Sequence, residues 1–255
     1  MSLDAALLWS FLSAFLRCSA AMLAVPIFGG QTVPVRIRVM ASLALALAIT
    51  PVVQPLVGTL PQDLYALVMA AGREVVMGLL LGMFVTIAFA AFQIAGAFID
   101  LQVGLGMSQA VNPASGVQST LLERFKSTLA VVVFLTLDGH HMVIHALVGT
   151  YRALPADQAL HLGGIYDALL ATVGYMSLLA LQIAAPVAAI GVVVDASLGF
   201  INKAIPMFPA MLAGMPAKIM MGLICLSIAL PAMVSGVSEA AGFAVDALFQ
   251  GLRVR

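Results

Sequence analysis

Apolar residues fall into about six long runs separated by short polar interruptions. The first extends from Ala5 to Phe28, and the second from Val39 to Leu60 with Pro51 and Pro55 inside it. The third covers Val75 to Ile99 and the fourth Thr128 to Gly149. The fifth covers Ala168 to Val194, with Pro186 inside, and the sixth Ala217 to Phe249, with Pro231 inside. Each is near or above the roughly 20 residues that cross hydrocarbon as a helix. No stretch alternates as a lipid-facing barrel strand must. A helix satisfies its own backbone N–H and C=O groups, so the pattern predicts an all-α protein of integral-membrane type.

These runs are not plain spans. Arg17, Asp138 and Asp195 lie in or at the edge of apolar stretches, and Glu239 and Asp246 fall late in the sixth. A charge in the middle of a membrane helix costs at least ~2.5–3.5 kcal/mol, so such side chains face a bundle interior, a polar cavity or a partner subunit. Charge in the loops gives little orientation. Arg36, Arg38, Arg124, Lys126, Lys203 and Lys218 stand on one side of a six-pass alternation, and Arg73, Arg152, Arg253 and Arg255 on the other. Simple alternating passes fit this chain poorly.

Composition narrows the class. Of 255 residues, 63% are hydrophobic and 9% charged. A soluble domain averages roughly 45–50% apolar even with glycine counted, and about 25% charged. A soluble globule of this length cannot hide so much apolar surface, which excludes an ordinary cytosolic enzyme and a disordered chain. The formal net charge of zero provides no basic patch for a nucleic acid. Cys18 and Cys225 sit in apolar segments at opposite ends and read as buried small hydrophobes. The N-terminal segment lacks a basic n-region and carries Arg17 inside its apolar run, so it is expected to be a retained helix.

Several local patterns are candidates for function. Gly104 to Thr120 is rich in Gly, Ser, Gln and Asn and carries no charge. It reads either as a solvent loop or as an element that lines or blocks a passage. Gly78 and Gly82 form a small-xxx-small pair, which lets two helix backbones approach closely. Met207, Met211 and Met215 crowd a proline-rich stretch and read either as core filling or as a deformable pore seal. Asp138, His141 and His145 would share one face of a helix and resemble a two-His, one-carboxylate metal set. No Glu accompanies them as a base, and Gly139 weakens the helix, so a polar helix break is the expected reading and no metal is assigned. There is no nucleophile elbow, P-loop or dinucleotide fingerprint, and thus no catalytic set or cofactor.

Arg17 is followed by Pro26-Ile27-Phe28-Gly29, Val33-Pro34, Arg36 and Arg38, and then by Glu74, Gly78 and Gly82. This opening, with the order of the short motifs after it, resembles the FliR family of flagellar export-gate proteins, which includes the T component of virulence injectisomes. Glu74, Gly78 and Gly82 are similar to the family's E-x-x-x-G-x-x-x-G. Asp100, Gln102 and Gly104, then Asn112-Pro113, resemble the next stretch, and Asp138-Gly139-His140-His141 the family's N-G-H-H. Ala185-Pro186, Leu198-Gly199 and Met215-Pro216-Ala217-Lys218 resemble the later helix and turn. Three departures stand out: Asn112 replaces a frequent Asp, Asp138 replaces a frequent Asn, and Pro206 to Met211 lack the polar residues of P-Q-x-N-x-F.

The resemblance implies bent, kinked helical hairpins that wrap into a hetero-oligomeric export gate in the bacterial inner membrane, at the flagellar basal body. It implies FliP-like and FliQ-like partner subunits, with FlhB-like and FlhA-like components nearby. Unfolded export substrates would pass through the channel that the chain helps to form and gate. Residues 1–165 would be a FliP-like part and residues 166–255 a FliQ-like hairpin. The 104–120 loop would be a plug, with Gly104, Gly106, Met107, Asn112, Pro113 and Gly116 as its gate residues. Arg17, Glu74 and Asp138 would be intramembrane polar groups facing partners. The alternative from the residues alone is a stand-alone secondary transporter or channel, supported by Asp138, Asp195 and Glu239 within broken helices. A third reading is an intramembrane metal enzyme on Asp138, His141 and His145.

Overall fold

The computed structural model of the chain describes residues 5–29, 33–104, 121–154, 161–205 and 210–252. Among these there is no strand. The helices are α1 (Ala5–Ala24), α2 (Pro26–Gly29), α3 (Val35–Val57), α4 (Leu64–Val103), α5 (Leu121–Thr136), α6 (Gly139–Ala153), α7 (Leu162–Ala204) and α8 (Ala210–Leu252). The protein is all-α, as the apolar runs predict. Five helices are long and apolar enough to cross a membrane, and a further apolar run is divided between α5 and α6.

The break falls where the sequence places it. Leu137 and Asp138 form a turn, and Asp138 takes a left-handed backbone at φ 56°. It is the only non-glycine residue with positive φ among the described residues. Asp tolerates that conformation better than most side chains. The prolines behave differently. Pro51, Pro55, Pro186, Pro216 and Pro231 lie inside continuing helices. Hydroxyls inside the helices bond back to their own backbone, as Thr50 does to the Ala46 carbonyl at 2.6 Å and Thr172 to Ala168 at 2.8 Å. Such bonds leave few polar groups for an apolar surround to satisfy.

Helix α4 begins earlier than its apolar run. Gly72, Arg73 and Glu74 do not interrupt it, because both charges find partners within the fold. It ends at Gly104, whose N–H donates to the Asp100 carbonyl at 3.1 Å and whose φ is 89°. A glycine in this left-handed conformation is a common helix stop.

The described chain forms two compact units. The first comprises residues up to Ala88, Leu137–Gly174 and Ala240 onward. Its core rests on α1 against α3, with α3 also touching α6. Helix α3 buries Ser42, Ala46, Ile49, Thr50, Val53 and Val57, a three-and-four spacing that forms one stripe. In the same unit the start of α7 meets the end of α8. A Cβ on Gly164 would lie 2.5 Å from the Gly251 carbonyl oxygen, so only glycine lets the two backbones touch there.

The second unit comprises Phe89–Thr136 and Tyr175–Glu239. Ile99 and Val103 of α4, Ala184 and Val187 of α7, and Cys225 and Leu226 of α8 make its core cluster. Phe89 meets Phe134 edge-on, with ring centroids 5.2 Å apart, and this joins α4 to α5. Helices α7 and α8 run antiparallel here, since Asp195 pairs with Lys218 and Leu179 packs on Gly236. Cys18 and Cys225 are free and buried, in the first and second unit respectively.

Candidate functional site

The first unit is organised around one charge in the middle of α1. Arg17 is 2% exposed, in a helix whose other buried residues are small or apolar, such as Ser13, Ala14, Cys18 and Ala21. A guanidinium taken from water needs both charge compensation and hydrogen-bond acceptors. Three side chains from two helices surround it. Arg17 Nε donates to Glu74 Oε2 of α4 at 2.7 Å. Its Nη1 donates to the Thr150 hydroxyl of α6 at 2.8 Å. The guanidinium carbon stands 3.5 Å from the centre of the Tyr151 ring, a close cation–π contact. The Thr150 hydroxyl gives its own hydrogen to the Leu147 carbonyl at 2.6 Å, which orients its lone pairs toward Arg17.

Glu74 is also the first position of a stripe on α4. Gly78, Gly82 and Thr86 follow at intervals of four and lie on the same face. Added Cβ atoms at Gly78 would meet Ala20 and Ala21, and at Gly82 would meet Ala21 and Ala24. The Thr86 hydroxyl sits between the Gly82 carbonyl of its own helix and the Ala24 carbonyl of α1. Both sets of numbers rise together, so α1 and α4 run parallel, with the Arg17–Glu74 pair at one end of the contact. Next to Glu74, Arg73 Nη2 donates to the Leu154 carbonyl at 3.0 Å. That carbonyl is one of the acceptors a helix C-terminus leaves without an intrahelical partner.

This arrangement ties α1, α4 and α6 together at fixed rotation. The Glu74 carboxylate is engaged by the Arg17 guanidinium. The sequence profile described as "Bacterial export proteins, family 1" matches residues 8–243. The chain belongs to this family. The flagellar biosynthetic protein FliR of Caulobacter vibrioides is 31% identical to it over 216 residues, covering 85% of this chain and 86% of that one. FliR of Bacillus subtilis is 30% identical over 226 residues, with 86% of each chain covered. FliR of Escherichia coli is 28% identical over 216 residues, covering 85% and 82% respectively.

The other residues that sequence reasoning singled out in this family member are scattered. Gly104 lies at the end of α4, with open space around it. Gly106, Met107, Asn112, Pro113 and Gly116 fall outside the described residues, as does Met207. Met211 and Met215 lie on the first turns of α8, where only the backbone is described. Asp138 does not join Arg17 and Glu74. It stands at the α5–α6 break with its side chain 75% exposed, 3.3 Å from His141 Nδ1. Asp195, in the second unit, receives two bonds from Lys218 Nζ at 2.7 and 2.8 Å. Asp100 is fully buried.

Three features escaped the sequence reading. Thr150 and Tyr151 complete the arginine site, and no local pattern around them marks that role. The Gly164–Gly251 contact joins two glycines far apart in the chain, neither of them in a G-x-x-x-G. A cleft of about 450 Å³ opens beside that contact, with His161, Asp167, Asp246 and Gln250 on its walls. Its polar residues are exposed to solvent.

Proposed function

We propose that this chain is the FliR-type subunit of a flagellar type III protein export gate, embedded in the bacterial inner membrane at the base of the flagellum. Membership of the export family, with similarity to flagellar FliR proteins across about 85% of the chain, is the observation that carries this reading.

The surface of the long helices supports it. Helix α7 exposes Leu181, Val192, Val193 and Phe200, and α8 exposes Met220, Ile224 and Ile228, each at least 55% open. Helices apolar on all sides need cover, either from lipid or from other apolar helices. FliP-like and FliQ-like subunits around this chain, with FlhB-like and FlhA-like components beside them, would provide it together with the membrane. In this reading residues 1–165 are a FliP-like part and residues 166–255 a FliQ-like hairpin. The antiparallel course of α7 and α8 favours the hairpin. The two compact units cut across that division, because α4, α7 and α8 each contribute to both.

The mechanism follows from what the residues can do. The buried Arg17 site and the Glu74–Thr86 stripe make a rigid three-helix base. The uncharged loop after Gly104 plugs the passage, and the methionines near the start of α8 yield around a passing unfolded chain. No bond is made or broken by this subunit, so export energy enters through other components.

The test is purification with a mild-detergent tag pull-down after co-expression with the neighbouring genes, followed by intact-complex mass spectrometry. One copy of this chain with several copies of two other small apolar subunits is expected. Recovery of the chain alone or as a homo-oligomer, with those neighbours demonstrably expressed, would overturn the proposal in favour of a solute transporter.

A further inference from the structure

Asp138, His140 and His141 converge at the first turn of α6. Each offers one ligand atom, and the three atoms lie within 4.8 Å of one another. The sequence spacing had favoured His145 as the third member, one turn further on. The turn at Leu137-Asp138 changes this. With Asp138 left-handed, its carboxylate folds back over the helix start to reach His141 Nδ1 at 3.3 Å. His140 then comes alongside, its ring centroid 4.2 Å from that of His141 and the planes 35° apart. Successive residues on a helix point about 100° apart, so the two rings approach each other through their side-chain conformations.

Two further details bear on a ligand. The separation of Asp138 Oδ1 and His141 Nδ1 is the ligand–ligand edge expected of a tetrahedral ion with bonds of about 2.0–2.1 Å. His140 Nδ1 is enclosed and has no hydrogen-bond partner among the described residues. An imidazole nitrogen shut away from water without a partner is unusual.

We propose that Asp138, His140 and His141 bind a divalent transition-metal ion of the zinc or cobalt type. Two imidazoles and one carboxylate suit such ions, whereas magnesium and calcium call for oxygen ligands throughout. The positive end of a helix disfavours a bare cation, and the Asp138 carboxylate offsets this. Three protein ligands leave coordination positions open to water or to a fourth donor outside the described residues. The Asp138 and His141 side chains are 75% and 62% exposed, so nothing among the described residues closes the site over. Bound metal would fix the first turn of α6, ahead of the segment that carries Thr150 and Tyr151.

The experiment uses the full chain in its detergent-solubilised complex, purified without a histidine tag. Titration with cobalt alone should bring up visible d–d absorption with one equivalent bound, and zinc should bleach it. Asp138→Asn, His140→Ala and His141→Ala should each weaken cobalt binding at least tenfold. His145→Ala and His161→Ala should leave it unchanged. A second reading avoids mutation altogether: zinc should protect His140 and His141 of the unmodified chain from diethylpyrocarbonate, as mapped by peptide mass spectrometry. Absence of cobalt bands up to millimolar metal would overturn the proposal. So would equal labelling of the two histidines with and without zinc, which would leave only an Asp138–His141 ion pair.

Discussion

Arg17 Nε lies 2.7 Å from Glu74 Oε2, a contact between residues 57 apart in the chain whose side chains are only 2% and 11% exposed. Neither residue alone belongs in an apolar helix. Together, with the Thr150 hydroxyl and the Tyr151 ring, they form a closed polar island inside an apolar unit. Breaking one partner of such a pair strands a charge and costs about 3–5 kcal/mol, while replacing both with apolar residues can be nearly neutral.

That asymmetry is a prediction. Arg17→Ala, which leaves Glu74 buried and unpaired, should sharply reduce recovery of the assembled complex. The double variant Arg17→Met, Glu74→Leu should recover much of the loss. Complex yield and thermal unfolding in detergent measure both. Equal damage in the single and double variants would show that the pair specifies geometry beyond what charge pairing explains.

Lys218 and Asp195 make the same chemical pair under different conditions. Their side chains are 17% and 51% exposed, so water screens part of the attraction. An ion pair this open contributes about 0.2–1 kcal/mol. Lys218→Met should therefore lower thermal stability far less than Arg17→Ala does in the same detergent. A comparable loss would indicate that a partner subunit covers Asp195 and removes it from solvent.

Glycines on α4 allow a cleaner comparison. A Cβ at Gly78 would sit 2.8 Å from Ala20 Cβ and 3.0 Å from the Ala21 nitrogen, with the backbone of α1 unable to give way. For Gly72, earlier on the same helix, nothing stands within 4 Å of an added Cβ. Gly78→Ala should cost about 1–3 kcal/mol through overpacking. Gly72→Ala should gain up to about 1 kcal/mol from helix propensity alone. Thermal unfolding of the two variants side by side distinguishes close approach from a general intolerance of α4 to substitution.

The contrast also indicates what the sequence could reveal. Hydrophobic runs announced the long helices, because apolar length is a local property. The break at Asp138 was legible for the same reason: a charge and a glycine stood together inside an apolar run. Gly78 and Gly82 were legible as a packing pair, since small residues four apart share a face. Their partner was not, because α1 lies more than fifty residues away and nothing in its alanines says which helix they meet. Arg17 and Glu74 were each suspected, but their pairing depends on the parallel course of α1 and α4. His140 was passed over for His145 because helical spacing was assumed to begin before Asp138. The left-handed turn there takes Asp138 off the α6 spiral, so its reach is set by the turn and not by three-and-four spacing.

The loop after α4 offers the most direct test of gating. The helix stops at Gly104 through a positive-φ glycine, which ends it without help from a charged or bulky residue. The residues that follow carry no charge and are rich in Gly, Ser, Gln and Asn, a composition that packs against apolar walls at little electrostatic cost. Deleting Ser108 to Gly116 should leave subunit stoichiometry unchanged, because the arginine site, the glycine stripe and the antiparallel hairpin all lie outside the deletion. Under the plug proposal it should raise ion conductance of membranes that carry the complex, because the scaffold is left in place. Planar-bilayer recordings of purified complexes read this directly. If conductance stays at the level of the intact complex while the deleted chain assembles normally, the plug proposal fails and the methionines near the start of α8 become the proposed seal. Substituting Met207, Met211 and Met215 with alanine would then be expected to open the gate.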